Sequence, residues 1–297
     1  MKTKFFFTLA LFLVGGIKTM AQDLEALLDS QTEERTEYAA FTFKATRLLN
    51  GHSVERMQVG QLDFRIDHRF GSVKSGAYNF WGMDQTDAVH YTMDYGINDW
   101  FMVGIGRATI EKTLDGFAKF LLLRQSTGKV KMPVTVSLFL GTDYKGSYPS
   151  TRLDSIALNN LSYTSQLLIA RKFNEELSVQ IMPTFVHRNL VASPSDPNDY
   201  YAMGIGGRYK LSNRISVNAE YYHVLSKMSY ENHNPLALGF DIETGGHVFQ
   251  MFFTNAIWNT ERGFITNTPG SWAKGDIHFG FKISRVFPLI PKKVSND

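Results

Sequence analysis

Asn50, His52 and Ser53 lie close together and are the side-chain types of a serine hydrolase. The hydroxyl would attack, the imidazole would take its proton and the amide would orient the ring. Neighbours in an extended chain point to opposite sides, so His52 and Ser53 would each need a partner from elsewhere. Asn50-Gly51 is also a common tight-turn pair. The turn reading is preferred, and a membrane-embedded, lipase-like hydrolase is kept as the alternative.

Asp63, Arg65, Asp67 and Arg69 place four charges on one face of an alternating segment. Against lipid, each basic residue would cost roughly 2–4 kcal/mol near the midplane. They must therefore face a lumen or the charges of another strand. Alternating signs neutralise one another, which favours a ladder of ion pairs over an ion-selective lining. The same parity puts His90, Asp94, Arg208, Glu220, Asp241, Glu243, His278 and Lys282 on polar faces, and these twelve residues are the candidate lumen lining. The eight histidines form neither His-x-His nor HExxH, so no metal site is expected. Gly204-Ile205-Gly206-Gly207 sits in a strand pattern with no helix after it, which favours close packing over a phosphate loop. No cofactor is expected.

Lys2 and Lys4, the apolar run Phe5 to Val14 and the small residues around Thr19-Met20-Ala21 have the order of a secretory signal peptide cleaved after Ala21. The formal net charge of +3 falls to about zero once Lys2, Lys4 and Lys18 leave with it, and no clustered basic face suggests nucleic acid. The absence of cysteine excludes disulfides, thiol catalysis and an N-terminal lipid anchor. No apolar run of about twenty residues follows, so no transmembrane helix is expected.

Period-two alternation dominates from residue 60 onward. Leu62, Phe64 and Ile66 alternate with Asp63, Arg65 and Asp67; Ile215, Val217 and Ala219 alternate with Ser216, Asn218 and Glu220. A soluble periplasmic sheet with one wet face would share this pattern. Three features favour a membrane barrel. Many segments are long enough to cross a bilayer when tilted. Their polar faces carry charged and small residues. Aromatic residues crowd their ends at Tyr95, Trp100, Phe173, Phe185, Tyr200, Tyr201, Tyr209, Tyr221, Tyr222, Phe252, Phe253 and Phe287, as interfacial girdles would require.

The expected spans are 60–70, 87–95, 100–110, 116–124, 133–142, 160–171, 177–188, 199–210, 214–224, 236–243, 246–255 and 275–286. Short connections alternate with long polar ones, apart from a short one at 111–115. An even count of about twelve puts both ends of the barrel in the periplasm. Leu24, Leu27 and Leu28 suggest a small amphipathic helix, and Tyr38–Leu49 reads as a strand. That strand would break the even count, so 22–58 is assigned to a periplasmic or plug segment, 59–290 to the barrel and 291–297 to a polar tail.

The stretches Phe43-Lys44-Ala45-Thr46-Arg47, Asn50 to Glu55, Leu62 to Gly71, Val103 to Arg107, Lys119 to Gln125 and Glu243 to Gln250 resemble an uncharacterised family of predicted outer-membrane β-barrel proteins. The resemblance covers most of the mature chain. It implies a membrane-bound barrel and carries no catalytic residues. The combined expectation is an all-β, antiparallel transmembrane barrel of about twelve strands in outer-membrane lipid, passing or binding a small solute. A hydrolase and a structural or partner-docking barrel remain the alternatives, and no sequence feature identifies a protein partner.

Overall fold

The computed structural model describes residues 35–146, 158–191, 193–245 and 247–290. The expected signal peptide, the Leu24–Leu28 helix and the polar tail lie outside these residues. Among them, twelve antiparallel strands close into a barrel. They are β1 (Gln61–Ser72), β2 (Thr86–Asn98), β3 (Phe101–Ala108), β4 (Leu114–Leu123), β5 (Thr135–Tyr144), β6 (Leu161–Lys172), β7 (Leu177–Arg188), β8 (Asp199–Lys210), β9 (Ile215–Val224), β10 (Leu236–Thr244), β11 (His247–Thr254) and β12 (His278–Pro288). Each pairs with its sequence neighbours. β12 closes on β1, with Lys282 opposite Asp67 and Ile283 opposite Ile66. Closure leaves no strand edge, which a bilayer demands because lipid cannot satisfy a free N–H or C=O.

The alternation sorts the side chains. Tyr91, Met93, Ile105, Ile181, Ile205, Val217, Leu238 and Phe253 point outward and are exposed, forming the apolar surface that lipid covers. Asp63, Arg65, Asp67 and Arg69 alternate inward on β1 and are buried. Trp100 stacks near Phe101 and Phe120 at one end of the barrel, where Phe173 and Tyr209 are also exposed. Three residues assigned to the girdles from sequence face inward instead. Tyr200, Tyr222 and Phe252 are fully buried, because adjacent strand residues alternate and their neighbours Tyr201, Tyr221 and Phe253 take the outer positions.

One end carries short connections such as 99–100, 173–176 and 211–214. The other carries the long ones, including 225–235 and 255–277. Both ends of the described barrel chain lie at the short-turn end, where Leu289 N–H donates to the Gly60 carbonyl and Gly60 N–H to that of Gly96.

The strand expected at Tyr38–Leu49 is not formed. Glu37–Tyr38 is extended and pairs with Ser126–Thr127 in a separate two-stranded piece. Residues 39–58 instead run as an irregular arm inside the barrel. Phe43, Leu48, Leu49 and Val54 are buried there in apolar contact with strand residues. The closed sheet offers no free edge to a thirteenth strand, so the arm's main chain finds other partners.

Candidate functional site

The candidate site is the barrel interior and what fills it. The arm folds back on itself. Leu48 N–H donates to the Gly51 carbonyl (2.9 Å) and Ser53 N–H to that of Thr46 (3.1 Å), making Leu48–Gly51 a tight tip, as Asn50-Gly51 suggests. Gly51 sits where a Cβ would lie 2.4 Å from the Tyr222 hydroxyl, so the tip accommodates glycine. Gly206, in the glycine run of β8, leaves the hollow taken by Leu48; a Cβ there would lie 2.5 Å from Leu48 Cδ1.

The strands hold this arm largely by its main chain. Glu220 on β9 accepts three successive N–H groups, from Leu49 (2.8 Å), Asn50 (2.7 Å) and Gly51 (2.8 Å). Lys119 on β4 donates to the carbonyls of Thr46, Ser53 and Glu55 at 3.3, 3.0 and 2.6 Å. Gln180 on β7 accepts from Val54 N–H and donates to the His52 carbonyl, both at 2.8 Å. Gln250 on β11 donates to the Leu48 carbonyl (2.6 Å), and Arg208 on β8 to those of Phe41 (2.9 Å) and Thr42 (3.1 Å).

Charge pairs complete the contact. Arg47 meets Asp94 at 3.1 Å, and Lys44 pairs with Glu243 at the short-turn end. Asp63 and Asp94 stand directly opposite one another on β1 and β2. Arg65 contacts both, reaching Asp94 at 3.5 Å, and Arg47 joins from the arm. Further along, Asp67 lies 3.3 Å from Lys282 and 3.7 Å from Arg69. His90 meets Asp115 at 2.8 Å, His278 meets Asp87 at 3.1 Å, and Asp241 accepts from Gln250 at 2.9 Å. All twelve sequence candidates therefore lie on the inward face. They act within pairs or as anchors for the arm.

A second segment enters from the long-loop end. The β11–β12 connection carries α1 (Glu261–Thr266), whose Thr260 side chain caps Gly263 N–H, and residues Arg262 to Thr266 are buried. Arg69 donates to the carbonyls of Ala256 (2.5 Å) and Trp258 (2.6 Å). Arg262 reaches Glu111 at 2.8 Å and Asp143 at 3.7 Å. Arm and loop meet where His52 Nε2 lies 3.7 Å from Glu261. A cavity of about 20 Å³ beside His52, His90, Asp115, Asp143 and Glu261 has room for about one water.

The hydrolase constellation is not assembled. Ser53 Oγ donates to the Ala45 carbonyl at 2.6 Å. His52 Nδ1 lies 2.9 Å from Arg47, and its ring packs 4.2 Å from Phe139 and 4.5 Å from Phe117. Burial, and then the nearby cations, hold this imidazole well below its usual pKa, so it is neutral in place. The Asn50 side-chain amide donates to Thr254 Oγ1 at 3.5 Å and not to the His52 ring.

Lys119, Gln180 and Gln250 are the anchors that charge patterning missed. Lys119 hides in the apolar run Phe117–Leu123, and the two glutamines carry no charge. The usable signal was inward parity on strands already recognised.

The family model for a membrane-bound beta barrel domain, DUF5777, matches residues 43–287. The chain belongs to this family. The match begins inside the arm and ends on β12, so most of the arm and all twelve strands, short of the last residue of β12, fall within this membrane-bound barrel domain. No curated protein matches the sequence. Among solved structures, the NanC porin is similar at 13% identity over 76% of this chain and 98% of its own, with a TM-score of 0.46. The KdgM porin is similar at 8% identity over 76% and 98%, with a TM-score of 0.45. An outer membrane channel from Pseudomonas putida F1 is similar at 12% identity over 79% and 98%, with a TM-score of 0.46. The assignment of this chain rests on the family match and on its own geometry.

Proposed function

We propose that this outer-membrane barrel is a gated conduit for a small polar solute, closed at rest by residues 39–58. The observation that carries the reading is how the arm is held. Its main chain is anchored by strand side chains at Glu220, Lys119, Gln180, Gln250 and Arg208. Each such bond contributes about 0.5–3 kcal/mol net, the larger values being for the charged anchors, because water or a solute can replace it. An arm held by exchangeable bonds, including the one from Ala39 N–H to the Gln125 carbonyl where it meets the β4–β5 connection, can leave a polar passage behind it.

Planar-bilayer recording on the full-length protein tests this. The wild type, shown to be inserted, should conduct rarely. Glu220→Ala orphans three buried N–H groups and should conduct in frequent discrete steps. Silence from both inserted proteins would overturn the gated-conduit reading.

A further inference from the structure

The anchors that hold the arm match a peptide's main chain group by group. We propose that the barrel interior is a peptide receptor occupied in cis by its own arm, and that the solute it accepts in exchange is a short peptide. The proposal rests on the exchangeable arm above and names the solute class for that same site.

Gln180 makes the strongest case. Its side-chain amide accepts from the N–H of Val54 and donates to the carbonyl of His52, so it stands in for the neighbouring strand that an extended peptide would otherwise have. Glu220 takes three consecutive N–H groups across the turn. Lys119, Arg208 and Gln250 take carbonyl oxygens. A sugar could donate hydroxyls to Glu220, but it lacks the alternating donors and acceptors that Gln180 spans. A peptide presents both at fixed spacing.

Side-chain demands narrow the class. The Gly206 hollow receives Leu48 just before the turn, and the Tyr222 hydroxyl leaves space at the tip for glycine alone. Asp94 and Glu243 each take a cation, from Arg47 and Lys44. The fitting occupant is therefore a turn-forming peptide with glycine at its tip, an aliphatic residue before it and basic residues further upstream.

The chain has no cysteine, so one thiol reports on the arm. Ser53 is fully buried, and Ser53→Cys in the full-length protein, reconstituted in vesicles, reacts with an impermeant maleimide when the arm leaves. Thr46→Cys gives a second site should the first variant fail to assemble. The probe is a synthetic peptide of residues 42–55. The controls are the same peptide N-methylated at the positions of Leu49, Asn50 and Gly51, and a maltooligosaccharide. At ten times its Kd the peptide should raise the labelling rate about tenfold, by binding the vacated barrel. The N-methylated peptide keeps every side chain but loses the donors to Glu220, and should leave the rate within about twofold, as should the sugar.

Equal effects of the two peptides, an effect of the sugar alone, or no effect of the peptide while Glu220→Ala exposes the thiol would each overturn the peptide assignment and leave the exchangeable arm standing. A thiol that stays shielded even in Glu220→Ala would overturn both.

Discussion

Two segments fill the barrel, and they satisfy their main chains differently. The loop around α1 largely looks after itself. Phe264 N–H donates to Thr260 and Asn267 N–H to Gly263 within the segment, while Thr266 and Thr268 hydroxyls donate to the carbonyls of Arg262 and Phe264. The adjoining loop helps, with the Tyr230 hydroxyl on the Thr266 carbonyl and Asn232 on Thr268 N–H. The arm has its tip turn and a few further bonds of its own, from Phe43 N–H to Glu55, from Ser53 Oγ to the Ala45 carbonyl and from Glu55 N–H to Ser53 Oγ, and five strand side chains take much of the rest of its main chain. Both share one apolar core, in which Phe43, Leu48 and Val54 of the arm join Phe264 and Ile265 of the loop. A segment whose own helix satisfies much of its main chain is a fixture of the barrel. A segment whose main chain is bonded mainly to its container is an occupant.

The largest effect should come from the shared core. Phe264→Ala removes a fully buried ring and should cost about 3–5 kcal/mol in urea unfolding. It should raise arm labelling and loop proteolysis together; loss of one alone would show that the two segments do not share a core. Glu220→Ala separates them. It should cost arm docking about 3 kcal/mol, roughly a hundredfold rise in labelling of the Ser53→Cys thiol, with loop proteolysis unchanged. Equal loosening of the loop would erase the distinction.

Acid should act on the arm as well. Docked His52 is held neutral, whereas a released arm carries a histidine with a pKa of about 6.5 that gains a proton as pH falls. The released state then binds more protons, so docking is strongest above that pKa and weakens below it. Lowering the pH from about 7.5 to about 5 should raise labelling after correction for thiol ionisation, with about thirtyfold as the ceiling set by a histidine that titrates only in the released arm. The same dependence in His52→Asn would assign it to another group.

Gly51→Ala forces a Cβ against the Tyr222 hydroxyl and should cost about 1–3 kcal/mol, seen as about tenfold faster labelling. Lys44→Met should do least. Glu243 is 44% exposed, and such pairs contribute under about 1 kcal/mol, so a change beyond about fivefold would mean that the mouth anchors the arm more firmly than an exposed ion pair can.

The barrel was legible in the sequence because period-two alternation is a direct image of a wall with lipid on one side and polar groups on the other. The spans at 177–188 and 199–210 coincide with β7 and β8. Inward parity likewise located Asp94, Glu220 and Lys282. The arm was harder to read. Phe41 and Phe43 alternate with Thr42 and Lys44 as in a strand, and local pattern cannot report that no sheet edge remains to receive one. Tyr200, Tyr222 and Phe252 were misplaced because adjacent aromatics occupy both faces, and which face is inner depends on the partner strands. Lys119 went unnoticed because its role is set by a carbonyl cluster contributed from residues 46–55.

The facing carboxylates of Asp63 and Asp94 carry one more consequence. Arg65 from the wall and Arg47 from the arm both stand against Asp94, while Glu220 and Glu243 also take their countercharge or donors from the arm. A wall that closed empty would seal in three acids without these arm partners. The arm thus brings a countercharge to Asp94 and Glu243 and three donors to Glu220, so charge balance inside the wall is completed by a segment that is not part of it.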